Sequence, residues 1–251
     1  MESYMNRISN TGIVPVVKIL EKEDAYPLAK ALLNGGIDVI EVTYRSEHAT
    51  SAIQTISEKL PDMLVGAGTV LSVEQAKEAV EAGAKFIITP GFNTKVVQWC
   101  LDHDVEVYPG VSTASEVEMA LSMGLTQLKF FPAESSGGAK KLKDLSAPYA
   151  NVHFMPTGGI NTKNMHDYLS LPNVEAIGGS FMLPNDLVVA KDWDGIEALS
   201  RSAIKSLLDF QLIHVGINTN SPEESKQVTD TLCSLFHFTQ YTTVSYTHLT
   251  L

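Results

Sequence analysis

Pro15-Val16-Val17-Lys18-Ile19-Leu20 ends the first apolar run of the chain, residues 13–19. The turn after a first strand separates two ways of winding alternating strands and helices. An open doubly wound sheet places a glycine-rich turn there, so that a phosphate can reach the next helix N-terminus. This hexapeptide contains no glycine, which sets the open sheet behind a closed barrel. Further β-branched runs lie at residues 37–43, 63–67, 85–89, 105–108, 127–131, 152–156 and 174–177. Amphipathic stretches at 24–33, 49–59, 73–82, 96–103, 114–123, 139–145 and 162–169 lie between them, and 193–208 closes the series. Strands joined by crossover helices form a parallel sheet. Eight such units predict an α/β fold, a compact (β/α)8 TIM barrel over residues 1–208 with a short C-terminal extension over 209–251.

Local signals agree with this order. Gly35-Gly36, Gly83 and Gly124 sit where helices must stop before strands. Ser72, and Ser112 or Thr113, precede helical stretches as N-caps.

Composition narrows the function. The 251 residues carry a formal net charge of −11, which disfavours nucleic acid as a partner but leaves room for one small phosphorylated ligand. The hydrophobic fraction of 44% and charged fraction of 19% are those of a soluble globular protein, and no apolar run has the length of a membrane span. Cys100 and Cys233 are far apart, and no His, Cys, Asp or Glu set has metal-ligand spacing. The expectation is a cytoplasmic protein with no signal peptide, no metal and no cofactor. His48, His103, His153 and His166 share no spacing and read as surface or satisfied core residues.

In a barrel the chemistry gathers at the C-terminal ends of the strands, and the last two loops often hold phosphate. Lys129, in Leu128-Lys129-Phe130-Phe131-Pro132, lies in a run that otherwise reads as buried strand. An ammonium there loses its water shell, and needs a partner, a route to solvent or loss of its proton. An uncharged lysine amine attacks ketones. Glu41, Thr43 and Arg45 share one face of the second strand. They read either as an acid/base with an anion clamp or as a Glu41–Arg45 salt bridge. If the face carrying Gln127, Lys129 and Phe131 points inward, Lys129 meets Glu41. Thr69 follows Gly66-Ala67-Gly68, and Pro90-Gly91 and Pro109-Gly110 are turn signals. Gly158-Gly159 and Gly178-Gly179-Ser180, after the last two strands, offer bare backbone N–H groups and a hydroxyl suited to a phosphate.

These segments match a known family. Glu41-Val-Thr-Tyr-Arg45, Val65-Gly-Ala-Gly-Thr-Val70, Ile88-Thr-Pro-Gly91, Tyr108-Pro-Gly-Val-Ser112, Lys129-Phe-Phe-Pro-Ala-Glu134, Pro156-Thr-Gly-Gly-Ile160 and Gly178-Gly-Ser180 occur in order. Across residues 7–208 the chain resembles the class I 2-keto-3-deoxy-6-phosphogluconate (KDPG) / 4-hydroxy-2-oxoglutarate (KHG) aldolases. The resemblance implies cleavage of the phosphorylated keto acid to pyruvate and glyceraldehyde 3-phosphate, and of 4-hydroxy-2-oxoglutarate to pyruvate and glyoxylate. It implies Lys129 as the Schiff-base lysine and Glu41 as the acid/base. Arg45 and Thr69 are implied to hold the pyruvyl carboxylate, with Pro90 and Phe131 lining the pocket. Gly158, Gly159, Gly179 and Ser180 are implied to bind the distal phosphate, and the family's trimer implies a homotrimer. The alternatives are a 2-keto-3-deoxy-6-phosphogalactonate aldolase, a non-catalytic phosphosugar-binding barrel, and a thiamine-phosphate-synthase type of barrel. The last would want a metal-pyrophosphate site that the sequence does not offer.

Past residue 208 the pattern changes. Residues 212–218 read as a strand and 222–236 as a helix. The segment resembles the start of a glyoxalase/vicinal-oxygen-chelate module, in which a histidine placed like His214 can bind metal. The partner strands of such a site are missing here. The threonine-rich end from residue 239 resembles translated adaptor read-through, and the expectation is a truncated natural protein with a poorly packed end.

Overall fold

The computed structural model describes residues 4–208 and 221–236. The chain falls into two units, Met1–Asp209 and Phe210–Leu251. In the second, the described element is one helix, α11 (Pro222–Phe236), whose first turn is capped by Ser221 Oγ accepting from Glu224 N at 3.1 Å. The expected strand at 212–218, His214 and the segment from 239 lie outside the described residues.

The first unit opens with α1 (Tyr4–Thr11) and β1 (Ile13–Val17). Helices and strands then alternate as α2 (Ala25–Asn34), β2 (Val39–Thr43), α3 (Ala49–Lys59), β3 (Leu64–Gly68), α4 (Val73–Glu81), β4 (Phe86–Ile88), α5 (Thr94–Asp102) and β5 (Glu106–Tyr108). After β6 (Gly110–Val111) come α6 (Ala114–Ser122), β7 (Gln127–Phe130), α7 (Gly138–Ser146), β8 (His153–Pro156), α8 (Met165–Leu169), β9 (Ile177–Gly179), α9 (Asn185–Ala190) and α10 (Trp193–Leu208).

All paired strands are parallel, in the orders β5-β4-β3-β2-β1-β9 and β6-β7-β8. Pro109, which has no N–H to give a ladder, separates β5 from β6. Its carbonyl still accepts from Lys129 N at 3.0 Å, so the two pieces form one interrupted strand. The bridges Phe154↔Val174 and Thr157↔Gly178 join β8 to the β9 segment. The ring therefore has the eight members of a (β/α)8 barrel.

Alternation divides the core into two layers. Residues such as Val17, Ile40, Val42, Ile87 and Leu128 pack between sheet and helices. Val14, Val39, Leu64, Phe86, Ile88, Tyr108, Met155 and Ala176 form a second cluster, which α1 joins with Met5 and Ile8. These lumen residues share the parity of Glu41 and Lys129, so the same alternation that fills the barrel aims both functional candidates into it.

The sequence reading needs correction at its last strand and at two helices. The last strand is Ile177–Gly179 rather than 174–177, because Val174 makes only an isolated bridge and the glycines carry the ladder to β1. Helices α1 and α9 were not expected. Among the described residues no helix is long and apolar enough to cross a membrane.

Candidate active site

Strand β2 pairs with β3 in the register Glu41↔Gly66 and Thr43↔Gly68, and β7 pairs with β6 at Gly110↔Lys129. Lys129 Nζ reaches Glu41 Oε1 at 3.1 Å and Oε2 at 3.3 Å, with Lys129 4% and Glu41 0% exposed. Burying both groups is costly, and their mutual attraction recovers the cost only with good geometry. Glycine makes that geometry possible. A Cβ on Gly68 would lie 2.0 Å from Glu41 Oε1, so only a residue without a side chain leaves the carboxylate its place. The Phe131 ring lies 5.3 Å from Lys129 Nζ, a cation–π distance for the protonated amine. Lys129 therefore meets its charge with a partner, and Glu41 pairs with Lys129 in place of the Glu41–Arg45 salt bridge. Arg45 is exposed, and its Nε donates to Thr43 Oγ1 at 3.2 Å, while Thr43 Oγ1 donates to the Val17 carbonyl at 2.8 Å.

Thr69 follows β3 with φ 54°. A β-branched residue in the left-handed region is strained by about 1–3 kcal/mol, and such strain collects at ligand sites. Pro90 follows β4 and approaches the β6 backbone so closely that a Cβ on Gly110 would meet its carbonyl oxygen at 2.3 Å. That approach brings Pro90 beside the strand neighbour of Lys129.

After β8, Gly158 and Gly159 take φ 105° and 82°. The Gly158 carbonyl accepts from Glu134 N at 3.1 Å, and the Gly159 carbonyl accepts from Asn164 Nδ2 at 3.2 Å and Asn161 Nδ2 at 3.3 Å. The Gly159 N–H donates to no group among the described residues. Gly179 is buried at the end of β9, and Ser180 is exposed just beyond it.

One residue escaped the sequence reading. Thr157 is 4% exposed, and its Oγ1 has no hydrogen-bond partner among the described residues. It stands two positions past Met155, the neighbour of Lys129 in the β7–β8 register, and so faces the lumen. An orphaned buried hydroxyl calls for an explanation, and a substrate group is one. Its sequence signal, Thr before Gly-Gly, looks like a turn.

Cys100 lies on the buried face of α5, where desolvation pushes its thiol up to about 12, so it is no nucleophile at neutral pH. Among the described residues no group of three or more His, Cys, Asp or Glu side chains could hold a metal ion.

The family model for the KDPG and KHG aldolases matches residues 4–199. The chain belongs to this family. It is 44% identical over 205 residues to a 2-dehydro-3-deoxy-phosphogluconate aldolase of Treponema pallidum (strain Nichols), covering 82% of this chain and 98% of that one. It is 44% identical over 199 residues to the KHG/KDPG aldolase of Escherichia coli (strain K12), covering 79% of this chain and 93% of that one. Among solved structures it resembles a KDPG aldolase from Legionella pneumophila with pyruvate captured at low pH as a covalent carbinolamine. The TM-score is 0.78 and the identity 39%, over 81% of this chain and 99% of that one.

Proposed function

We propose that this KDPG/KHG aldolase cleaves 2-keto-3-deoxy-6-phosphogluconate to pyruvate and glyceraldehyde 3-phosphate, and 4-hydroxy-2-oxoglutarate to pyruvate and glyoxylate, through a Schiff base on Lys129. The observation that carries this reading is the buried contact of Lys129 Nζ with Glu41 at 3.1 Å.

The carboxylate takes a proton from the ammonium, and the free amine adds to the C2 ketone. Glu41 returns that proton as the carbinolamine hydroxyl leaves as water, giving a cationic imine. Glu41, again a carboxylate, then removes the C4 hydroxyl proton, directly or through a water. The C3–C4 electrons flow into the imine, an enamine forms and the aldehyde departs. Protonation of the enamine at C3 by Glu41, followed by hydrolysis, releases pyruvate and the lysine. Arg45 and Thr69 hold the pyruvyl carboxylate, Pro90 and Phe131 wall the imine, and the loops of Gly158, Gly159, Gly179 and Ser180 take the phosphate. The free Gly159 N–H supports that last assignment. Binding at the phosphate, far from the breaking bond, orients that bond.

The reading extends, on the resemblance alone, to a cytoplasmic homotrimer and to residues 209–251 as the start of a glyoxalase-like module. Light scattering on the purified chain reads the first.

Borohydride reduction in the presence of pyruvate, followed by peptide mass spectrometry, tests the centre of the proposal. The adduct is expected on the peptide carrying Lys129 and is absent in Lys129→Ala. Lys18 and Lys85 are both exposed, and an adduct on either would move the active site. No adduct at all would favour a non-catalytic phosphosugar binder.

A further inference from the structure

The loop that follows β8 is braced from the β7 side by two successive residues, Ala133 and Glu134. Glu134 N donates to the Gly158 carbonyl, and Ala133 N to the Thr157 carbonyl at 2.8 Å. The Glu134 side chain lies over Gly159, where a Cβ would meet Glu134 Cγ at 2.6 Å. Its Oε1 accepts from the hydroxyl of Tyr168, on the helix α8 that the loop leads into. Tyr168 is 1% exposed. Burial first, then the hydrogen bond and charge of Glu134, hold its phenol well above the usual range, so the hydroxyl keeps its proton through alkaline pH. Glu134 thus ties the end of β7, the Gly158-Gly159 turn and α8 to one another. It fixes Gly158 through its carbonyl, beside a Gly159 N–H that is unpaired among the described residues.

We infer that the Glu134–Tyr168 hydrogen bond is a latch that sets the Gly158-Gly159 loop for the distal phosphate, making both positioning residues for phosphorylated substrates. This rests on the phosphate assignment above. The carboxylate also stands beside an anion site, where it would repel phosphate if it swung free. The tyrosine holds it against the loop instead.

Tyr168→Phe and Glu134→Gln preserve shape while weakening the latch. The enzyme is run in the synthetic direction, with pyruvate and either glyceraldehyde 3-phosphate or unphosphorylated glyceraldehyde. Each variant should raise KM for glyceraldehyde 3-phosphate by about tenfold, with a smaller change in kcat, and so narrow the preference for the phosphorylated aldehyde. Pyruvate trapping on Lys129 reports that the barrel is folded. Equal KM increases for both aldehydes would reduce the latch to a structural brace and overturn the inference. So would unchanged KM values in variants of an enzyme that does prefer the phosphorylated aldehyde. A wild-type enzyme that does not distinguish the two aldehydes would instead sink the phosphate assignment, and the latch with it.

Discussion

At the N-terminal end of the barrel, α1 lays Met5 and Ile8 into the lumen cluster, Tyr4 N donates to Glu106 Oε1 at 2.9 Å and Arg7 Nε to Asp38 Oδ2 at 2.9 Å. Ser9 Oγ donates to Glu175 Oε2 at 2.9 Å. At the C-terminal end, Thr157 Oγ1 is buried without a partner among the described residues, Thr69 holds φ 54°, and Lys129 and Glu41 share the floor. The same strands make both ends. One end is closed with apolar contacts and paired donors, as stability requires. The other keeps strain, an orphan hydroxyl and a buried ion pair, all of which a domain selected for stability alone would remove. Substitutions at the two ends should accordingly separate activity from stability.

The largest effect falls on Lys129. Lys129→Ala should lower kcat/KM by about 10⁴-fold or more, since the covalent step is lost. It also leaves Glu41 buried alone, at a cost of about 3–5 kcal/mol in denaturant unfolding. The informative companion is Lys129→Met with Glu41→Met. Removing both charges should return stability to the wild-type level or raise it by about 1–4 kcal/mol while activity stays absent. A double variant as unstable as Lys129→Ala would mean that the pair holds the barrel together, and the contrast between the ends would fail.

Glu41→Gln comes next. It keeps the shape and removes the base. The pyruvate imine should still be trapped on Lys129 but should form more slowly, and kcat should fall by about 10²–10⁴-fold. Full turnover would take Glu41 out of the proton transfers.

At the closed end, Ile8→Ala should act in the opposite sense. Ile8 is fully buried, and its truncation should cost about 2–5 kcal/mol. In the fraction that remains folded, kcat and KM should match the wild type. A loss of kcat without a loss of stability would show that α1 communicates with the site.

How much of this could be read from the sequence depends on the physical origin of each feature. Helices 49–59 and 193–208 have the bounds expected of them, because an apolar stripe and flanking breaks suffice to define a helix. The Lys129–Glu41 contact needed only strand parity and ring closure. Helix α1 was missed because its buried face is just Met5, Ile8 and Thr11 on a polar segment, and its docking site exists only once the barrel has closed. The β9 bounds slipped because glycine has little strand preference of its own, and the β1 edge supplies the order there. Thr157 was missed for a related reason. Whether a hydroxyl finds a partner depends on packing between neighbouring strands, and local sequence does not carry that. The Tyr168–Glu134 bond spans 34 positions and obeys no periodic pattern.

The smallest effect sharpens the contrast within the open end itself, because not every polar group on that rim is free for substrate. Beyond β6, Glu116 Oε2 accepts from Ser112 N and Thr113 N, each at 2.8 Å, and from Thr113 Oγ1 at 2.7 Å, closing a capping box on α6. Partial burial pushes its carboxyl upward, but the hydrogen bonds from Ser112 and Thr113 outweigh this and hold it below the ordinary 4.5. A depressed carboxyl favours the folded state at every pH above its unfolded value, and this contribution is lost as pH falls through the folded value. Glu116→Gln should therefore cost about 1 kcal/mol near neutrality with kcat/KM unchanged. The gap between wild type and variant should shrink as unfolding is measured at successively lower pH below 4.5. A gap that stayed constant into acid would assign the effect to shape rather than charge. A fall in kcat would place Glu116 among the groups that serve the substrate and move the boundary between the two kinds of residue at this rim.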